Sequence, residues 1–489
     1  METIHGLHNA IDDDLLNWRG QQKDALRLIK IAGDLKYDRA VDLVIFRKDI
    51  FDARPSEIVA FHQVSETFGS QPLEMEQSLR IVYYLQGKED LPPCKIDIGK
   101  LSMEYNDEGG DANLHDFIED KLGDIFDKNP DYLTPKDIVL YGFGRIGRLL
   151  ARRIIEQTGV GQQFRLRAIV LRAKMADPVQ ELKKRAALLE DDSIHGSFRG
   201  VIDVDAAGEH LLVNGNKIRV IFSGDPASID YTSYGINDAL LIDNTGIWRD
   251  DAGLSKHLRP GIEKIILTAP AKGVPNIVYG VNHKKEEYAT EKLFSAASCT
   301  TNAIVPVIYA INQEMEIESG HIETIHAYTS DQNLLDNFHK KPRRGRAAAV
   351  NMVLTSTGAA KAVSKVMPEF EGKLTGNAVR VPTPDVSLAI ISLSLNKAVT
   401  PQEINDLLLQ HSLTGDLFEQ IHFSNDTEFV SSHAIGTTTT SVVDGPSTIV
   451  SKDGKKVNIY AWYDNEYGYA CQVVRLAKYL ANVRRYTYY

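Results

Sequence analysis

One of the three cysteines in this chain stands where a nucleophile could act. Cys299 lies in the stretch "AASCTTNAIVPV", directly before an apolar run that predicts a helix. A thiolate at a helix N-terminus is stabilised by the helix dipole and by the free N–H groups of the first turn. His326, at the end of the alternating strand pattern "IETIHAYT", is the candidate base. Because a lone cysteine is more often an inert core residue, these residues alone leave both interpretations of Cys299 open.

Three glycines predict a dinucleotide-binding turn. Gly142, Gly144 and Gly147 form G-x-G-x-x-G between the apolar strand pattern "DIVLY" and a predicted helix, and a second strand, "FRLRAIVLR", follows. Such a turn brings backbone N–H groups and a helix N-terminus to a pyrophosphate. The second strand ends at Arg172 instead of at an acid that would bind the ribose 2′-OH of NAD, and a cation there can accommodate a 2′-phosphate. We therefore expect NADP or NAD as cofactor, with NADP favoured.

The elements that must position these residues alternate between strands and helices after Lys136. This alternation predicts a Rossmann-type, doubly wound parallel sheet. Within it, "HLLVNGNKIRVIF" predicts two strands joined by a tight turn at Asn214-Gly215. Beyond Cys299 the strand-rich stretches predict a mixed or antiparallel sheet. The expected fold class is α/β, with a cofactor domain of this type, an α+β catalytic domain and a mainly helical N-terminal domain before them.

The N-terminal part differs from the rest in charge. The first 135 residues hold 27 acidic against 15 basic residues, whereas the remainder holds 39 against 40. We expect residues 1–133 to form a mainly helical, acidic extension, with helices in "DDDLLNWRGQQKDALRLIKIAG", "EMEQSLRIVYYLQG" and "NLHDFIEDKLGDIF". We place a dinucleotide-binding domain at 134–298, completed by a C-terminal helix at 465–489, and a catalytic domain at 299–464.

Composition excludes several classes of function. The chain has 489 residues, of which 43% are hydrophobic and 25% charged, as in soluble globular proteins, and no apolar run is long enough to span a bilayer. The balanced charge after residue 135 argues against nucleic-acid binding. The widely spaced Cys94, Cys299 and Cys471 form no disulfide framework, so we expect a cytoplasmic protein. We expect Cys94 to be a half-buried loop thiol, Cys471 to be a core residue, and no metal site.

Five motifs in a fixed order resemble those of phosphorylating glyceraldehyde-3-phosphate dehydrogenase. They are "YGFGRIGR", "SAASCTTN", "IHAYTSDQ", "TSTGAAKAVSKVMPEFEGKLTGNAVRVPTPDVS" and "WYDNEYGYA". The resemblance implies that Cys299 is the nucleophile, His326 its base, and that a thioester forms while a hydride passes to NAD or NADP. It further implies a small phosphorylated aldehyde and inorganic phosphate as substrates, 1,3-bisphosphoglycerate as product, and a homotetramer. Residues 1–133 are not covered by the resemblance.

The resemblance also implies two sets of binding residues. The residues for substrate and phosphate are Ser298, Thr300, Thr329, Asp331, Arg344, Thr357, Gly358 and Arg380. The residues for the cofactor are Gly142, Gly144, Arg145, Ile146, Gly147, Thr245, Gly246, Thr268, Asn465 and Tyr469, to which the strand-end position adds Arg172. For Asn465 and Tyr469 a purely structural role in a docked terminal helix stays open.

Two other functions remain to be weighed. Erythrose-4-phosphate dehydrogenase is similar in fold, nucleophile and base, but it releases an acid by hydrolysis, whereas the retention of Arg344, Thr357 and Arg380 favours attack by phosphate. Alternatively, the N-terminal extension could carry a binding or regulatory role on an enzyme scaffold. Because the nucleophile, the base and the phosphate ligands are all present, we expect an enzyme.

Overall fold

The computed structural model describes residues 2–65, 71–108, 113–205 and 207–489, with side chains from residue 13 onward. The chain divides into two compact units. The N-terminal unit comprises Met1–Pro135, Thr158–Gln163 and Asn482–Tyr489, and the larger unit comprises Lys136–Gln157 and Phe164–Ala481. Within the described ranges, no helix is both long and apolar enough to cross a membrane.

The N-terminal unit combines helices with a small sheet. Its helices in the described residues are α1 (Glu2–Arg39), α2 (Pro55–Gln63), α3 (Met75–Gly87), α4 (Ile98–Glu108) and α5 (Leu114–Phe126). The first three strands are β1 (Asp42–Ile45), β2 (Lys48–Asp49) and β3 (Cys94–Asp97), in the order β2-β1-β3. The mainly helical prediction is confirmed, and the structure adds a small sheet that the predicted helices did not include. Cys94, expected in a loop, lies in β3 and is fully buried.

The fourth strand of this sheet comes from the end of the sequence. Tyr486–Tyr488 pairs parallel with β3. The two tyrosine rings pack against the core of the N-terminal unit, and Arg485 forms a salt bridge with Asp42 at 2.5 Å. An aromatic–polar–aromatic sequence suits an edge strand that is buried on one face. The expectation that residues 465–489 form one helix of the cofactor domain is therefore corrected, because 482–489 belongs to the N-terminal unit.

The first half of the larger unit is built on an eight-stranded sheet. Its strands are β4 (Lys136–Tyr141), β5 (Phe164–Leu171), β8 (Ile202–Val204), β9 (His210–Val213), β10 (Asn216–Phe222), β11 (Ala239–Asp243), β12 (Ile262–Leu267) and β13 (Leu293–Ser295), and a separate hairpin consists of β6 (Asp191–Asp192) and β7 (Gly196–Ser197). The order is β13-β12-β11-β4-β5-β10-β9-β8, parallel as far as β10. Helices α6 (Arg145–Glu156), α7 (Pro178–Glu190) and α8 (Asp251–Leu254) connect the strands. This confirms the Rossmann-type sheet.

The predicted hairpin between β9 and β10 is present. Asn214 and Gly215 both have positive φ, 46° and 77°, as the turn of a two-residue hairpin requires.

The second half of the larger unit is a mixed sheet with helices. Its strands are β14 (Ile317–Ala327), β15 (Val353–Thr355), β16 (Leu374–Val381), β17 (Ser387–Leu395), β18 (Ile421–Ser424), β19 (Ser441–Asp444), β20 (Ile449–Val450) and β21 (Lys456–Tyr463). The order is β15-β16-β14-β17-β21-β19-β18, with β20 on β21. Helices α9 (Cys299–Met315), α10 (Ala359–Val366), α11 (Pro401–Leu413) and α12 (Tyr467–Leu480) complete it. A buried apolar core lies between α9 and this sheet.

Candidate active site

Cys299 begins α9, and the chain around it is held in a strained turn. Ala297 has a φ of 55°, which is uncommon for a residue with a side chain. The hydroxyl group of Ser298 caps the helix by accepting a hydrogen bond from the backbone N–H of Thr301 at 3.0 Å. The side-chain amide of Asn302 donates to the carbonyl oxygens on both sides of Ala297, at 2.8 and 2.9 Å. These bonds fix the thiol at the first turn of the helix.

The structure brings Cys299 and His326 together. Cys299 Sγ lies 3.8 Å from His326 Nε2, and His326 is the penultimate residue of β14. The other ring nitrogen, Nδ1, lies 2.7 Å from the carbonyl oxygen of Ala327, to which it donates. Since a neutral imidazole carries one proton, Nε2 then presents its lone pair to the thiol. This arrangement allows the thiol proton to pass directly to the imidazole.

Burial disfavours the charged forms of both Cys299 and His326. It raises the pKa of the Cys299 thiol, against the lowering effects of the Arg380 charge and of hydrogen bonds from backbone N–H groups. It lowers the pKa of His326 to about 3, an effect to which the positive charge of Arg380 adds. A neutral thiol and a neutral imidazole are therefore the resting pair in the absence of anions. Anions that neutralise Arg380 and Arg344 are expected to raise the pKa of His326 and so to ease the proton transfer.

Two arginines border this pair. Arg380 lies opposite His326 on the neighbouring strand β16, and its Nη1 is 3.1 Å from His326 Nδ1 and 3.2 Å from Thr329 Oγ1. Arg344 is buried and is paired with Asp331, which also accepts a hydrogen bond from the Thr329 hydroxyl at 2.5 Å. Asp331 thus acts as a counter-ion for Arg344, and a carboxylate is not itself a ligand for an anion. The two guanidinium groups and the Thr329 hydroxyl are the groups that can hold phosphate.

The remaining expected anion ligands take different positions. Thr300 Oγ1 lies 4.0 Å from Cys299 Sγ and 3.1 Å from the Tyr463 hydroxyl oxygen. Gly358 directly precedes α10, and a Cβ there would meet no atom within 4 Å, which leaves the helix N-terminus open to an anion. The Thr357 hydroxyl accepts a hydrogen bond from the backbone N–H of Ala359 at 3.1 Å.

The glycine turn between β4 and α6 fits a dinucleotide. Gly142 has a φ of 100°, and a Cβ on Gly147 would come within 2.5 Å of the Gly142 carbonyl oxygen, so both positions require glycine. A Cβ on Gly144, the N-cap of α6, would meet nothing within 4 Å. The space at this helix N-terminus is therefore open, as the close approach of a pyrophosphate demands.

The side chain next to this turn is already engaged. Arg145 makes two hydrogen bonds to Asp192, at 2.8 and 3.1 Å, and an ion pair with Glu466. Its guanidinium is thus committed to acids, whereas the backbone N–H groups of Arg145 and Ile146, in the first turn of α6, have no partner within the helix. Burial, only partly offset by Arg145, raises the pKa of Glu466 to about 7.

The other expected cofactor residues cluster at the end of β11. Asp243 Oδ1 accepts hydrogen bonds from the backbone N–H and the hydroxyl of Thr245, at 2.8 and 2.7 Å. Gly246 follows with a φ of 62°. The Thr268 hydroxyl donates to the carbonyl oxygen of Asp243 at 3.1 Å. Asp243 was not predicted as a site residue, although it directly precedes the "NTGIW" stretch.

Arg172 is exposed at the end of β5. Within the described part of the chain its guanidinium makes no salt bridge, and a Cβ on Gly224 would contact its side chain at 3.8 Å. The nearby acid Glu181 is engaged by the backbone N–H groups of Lys174 and Met175, at 2.7 and 2.9 Å. A cation without an acidic partner therefore stands at the place where a ribose 2′ group is read in such folds.

Asn465 and Tyr469 differ in what they can offer. Asn465 Oδ1 accepts a hydrogen bond from the Ser387 hydroxyl at 2.7 Å, so the amide orientation is fixed with its N–H groups as donors. Tyr469 is buried in α12, and its hydroxyl donates to the carbonyl oxygen of Ala297 at 2.9 Å. That hydroxyl group supports the turn before Cys299 and is not available to a cofactor.

Sequence reasoning missed the side chains that support this site. Asn302 and Tyr463 stand inside or beside quoted motifs, so position in the motif was the signal that could have found them. Ser387 ends a quoted motif, so the same signal applies to it, whereas His195 lies outside the quoted motifs and its partners are far away in the sequence.

Two family models match the larger unit. A model described as "Glyceraldehyde 3-phosphate dehydrogenase, NAD binding domain" matches residues 136–251. A model described as "Glyceraldehyde 3-phosphate dehydrogenase, C-terminal domain" matches residues 298–465. Together they cover the glycine turn, Cys299, His326 and the arginines.

Curated relatives agree with these models. The chain is 53% identical over 396 residues to the "Glyceraldehyde-3-phosphate dehydrogenase-like protein" of Pseudomonas aeruginosa (strain UCBPP-PA14), a match that covers 80% of this chain and 85% of that protein. It is 40% identical over 341 residues to "Glyceraldehyde-3-phosphate dehydrogenase 1" of Bacillus subtilis (strain 168). This match covers 70% of this chain and 96% of that protein. The protein of that name from Kluyveromyces marxianus is 39% identical over 345 residues, a match that covers 70% of this chain and 99% of that protein. The Pseudomonas match exceeds the 354 residues that follow Pro135, so it extends into the N-terminal unit.

Proposed function

This chain belongs to the glyceraldehyde-3-phosphate dehydrogenase family, and we propose that it oxidises glyceraldehyde 3-phosphate to 1,3-bisphosphoglycerate through a thioester on Cys299. The contact between Cys299 Sγ and His326 Nε2, beside Arg344 and Arg380, carries the proposal. A nucleophile, a base and two anion ligands are what this reaction requires.

The first step is attack on the aldehyde. Cys299 Sγ bonds to the carbonyl carbon while its proton passes to His326 Nε2, which presents its lone pair to the thiol. The oxyanion that develops is stabilised by the backbone N–H of Cys299 and by the protonated imidazole. Arg380 and Arg344 bind the phosphate group of the substrate and the inorganic phosphate, together with the Thr329 hydroxyl.

The second step preserves the oxidation energy. A nicotinamide cofactor held at the glycine turn and by Asn465 would supply the acceptor for the hydride of the substrate carbon, which is thereby oxidised to a thioester on Cys299. Inorganic phosphate then attacks the thioester carbonyl, the carbon–sulfur bond breaks, and Cys299 leaves as the thiolate. The arginines hold the attacking phosphate next to this carbon. Because phosphate is already positioned, it reacts with the thioester in preference to water.

Initial rates test the proposal. We would measure formation of the reduced cofactor from glyceraldehyde 3-phosphate with and without inorganic phosphate. A rate that requires phosphate supports the thioester and its attack by phosphate. A rate that is independent of phosphate and yields the free acid would assign the chain to the erythrose-4-phosphate type of reaction, and no rate with either cofactor would overturn the substrate.

For the cofactor we propose use of both NAD and NADP, with NADP favoured through Arg172. Replacing Arg172 with alanine is expected to lower kcat/KM for NADP about tenfold, because an unpaired charge-assisted contact to the 2′-phosphate is lost. The value for NAD should change less than about twofold, since NAD lacks that phosphate. Steady-state kinetics with both cofactors measure this, with Arg165→Ala, at the exposed start of the same strand, as control. An equal loss with NAD and NADP would contradict the role of Arg172.

We further propose that the chain forms a homotetramer. Large apolar side chains in the segment that carries Arg344 are exposed: Leu334, Leu335, Phe338, Val350 and Met352 are each at least 75% exposed. Several exposed large apolar side chains in one segment are typical of a protein–protein interface. Light scattering on the purified protein is expected to give four times the 54.4 kDa of one chain. A monomer at micromolar concentration would rule the tetramer out.

We place the protein in the cytoplasm. All three cysteines are free thiols, which suits a reducing compartment.

A further inference from the structure

A cluster of buried charges lies where the two halves of the larger unit meet. His195, from the hairpin loop between β6 and β7, has its Nε2 3.0 Å from Asp464 Oδ2 and 3.2 Å from Asp385 Oδ2. The side chains of both acids are fully buried, and that of His195 is 4% exposed. Asp464 follows β21, and Asp385 precedes β17. The cluster therefore ties the cofactor half to two strands of the catalytic sheet.

Asp464 and Asp385 differ in the hydrogen bonds that their carboxylates accept. Asp464 Oδ1 accepts hydrogen bonds from the backbone N–H groups of Glu466 and Tyr467, at 2.9 and 2.7 Å, and its Oδ2 accepts one from Gly436 at 2.8 Å. Neither oxygen of Asp385 has a hydrogen bond of good geometry in the described residues. A buried carboxylate without such bonds depends on its counter-ion. For Asp385 that counter-ion is His195.

His195 is held as a cation at neutral pH. Burial lowers its pKa, but the adjacent carboxylates of Asp385 and Asp464 outweigh this effect and raise it to about 10. On its other side the ring faces the Arg145 Nη2, at 3.3 Å from Nδ1, and Asp192, at 3.5 Å. Burial and the charge of Asp464 raise the pKa of Asp385, so its carboxylate depends on the adjacent His195 to stay ionised.

Asp385 is joined to the cofactor site through one strained residue. Val386 has a φ of 61°, which a β-branched side chain rarely adopts, so the surrounding structure must hold it there. On one side of Val386 the Asp385 side chain is held by the His195 ion pair. On the other side, the Ser387 hydroxyl oxygen accepts a hydrogen bond from the Ala327 backbone N–H at 3.1 Å. These two contacts fix the direction of the chain on either side of the strained residue.

Ser387 sets the orientation of Asn465. Because its oxygen accepts from Ala327, its own proton is free to go to Asn465 Oδ1, 2.7 Å away. The N–H groups of the Asn465 amide are then the donors left for a carboxamide oxygen of the nicotinamide ring. The same Ser387 lies on the strand next to His326, whose neighbour is Ala327.

We propose that Asp385, through its ion pair with His195 and the strained Val386–Ser387 link, is a positioning residue that orients Asn465 toward the nicotinamide end of the cofactor. The proposal rests on the proposed function and on the cofactor role of Asn465 that the resemblance implies. Asp385 does not touch the reacting atoms; it acts through Ser387. Its loss should therefore affect cofactor binding and hydride transfer but not the nucleophilicity of Cys299.

The three side chains also have the spacing of metal ligands. One ligand atom from each of His195, Asp385 and Asp464 lies within 4.8 Å of the others. The two carboxylates raise the pKa of His195, and a protonated ring cannot ligate a metal. We therefore interpret the group as an ion-pair cluster, and dialysis against EDTA is expected to leave the melting temperature unchanged. A lower melting temperature that zinc restores would overturn this interpretation and, with it, the role of His195 as counter-ion.

The test compares Asp385→Asn and Ser387→Ala with the wild type in the full chain. Asp444→Asn serves as the matched control, because Asp444 is buried in the same sheet but accepts its hydrogen bond from Trp462, at 3.0 Å. Three quantities are measured for each protein: the Kd of the oxidised cofactor by calorimetry, the single-turnover rate of hydride transfer with its deuterium isotope effect, and the rate at which 4-nitrophenyl acetate acylates Cys299 without cofactor. Melting temperatures show which variants are folded.

We expect Asp385→Asn and Ser387→Ala each to raise the cofactor Kd about tenfold and to slow hydride transfer by about 10- to 100-fold. The acylation rate should stay within about twofold of the wild type, and Asp444→Asn should match the wild type throughout. Wild-type cofactor affinity and hydride transfer in either variant would overturn the proposal, as would a parallel loss of acylation. If the wild type neither oxidised the aldehyde nor was acylated, the proposed function would fail, and cofactor affinity alone would still decide the positioning role.

Discussion

Replacing Cys299 with serine is expected to lower the rate of glyceraldehyde 3-phosphate oxidation by about 10⁴-fold or more, the scale on which removal of a covalent nucleophile acts. The serine hydroxyl keeps its proton at neutral pH and is a weaker nucleophile than a thiol. The hydroxyl proton is also held more tightly than a thiol proton, so its transfer to His326 is less favourable than that of the Cys299 proton. The initial rate of reduced-cofactor formation at saturating substrate measures the loss.

Two controls separate this effect from misfolding. The Kd of the cofactor should change little in Cys299→Ser, because the glycine turn lies in the other half of the unit. Cys471→Ala removes a second buried thiol, in the core of α12, and is expected to keep nearly full activity. If Cys299→Ser retained more than about a hundredth of the rate, a covalent thioester could not be the main route.

Replacing His326 with asparagine is expected to lower kcat by about 10²- to 10⁴-fold, the range for loss of a general base. Without Nε2 the Cys299 proton must leave to solvent, and burial raises the pKa of that thiol. The deficit should therefore shrink as the pH is raised, because hydroxide then generates the thiolate directly. Rates of Cys299 alkylation and of aldehyde oxidation, both measured between neutral and alkaline pH, check this dependence.

His321 offers a matched control on the same strand. It is half-exposed five residues earlier on β14 and bonds to Thr375 and Asn377, both at 2.8 Å. His321→Asn should leave both rates within about twofold of the wild type, because it makes no contact with Cys299. A loss in His326→Asn that stayed constant with pH would argue against a role as base.

The parts of the site that sequence could predict are those in which neighbours in the chain determine the geometry. The glycine turn is such a case, since φ at Gly142 and the packing of Gly147 follow from residues within six positions. The place of Cys299 at a helix N-terminus follows in the same way from Ser298 and the apolar run. Roles carried by long motifs, such as the pairing of Cys299 with His326, came from the resemblance and not from spacing.

What sequence could not predict depends on partners far away in the chain. The His195 cluster assembles one residue from each of three separate segments. Asp385 and Asp464 lie inside quoted motifs, but no local pattern indicates that they pair with His195. Tyr469 could be placed on a helix, but only the structure shows that its hydroxyl group is used by Ala297. The strand β1 lies within a region of helical patterns, and its strand state depends on pairing with β3.

The strand Tyr486–Tyr488 has a consequence for synthesis on the ribosome. Its partner β3 leaves the ribosome about 390 residues earlier, an interval of about 20–80 s at about 5–20 residues per second. During this interval the edge of β3 that the strand will cover has no partner from its own chain, and an open edge can pair with another nascent chain. The unit that is translated first is thus completed last. Until then its open edge is the place where a chaperone can bind or where a chain on a neighbouring ribosome can pair.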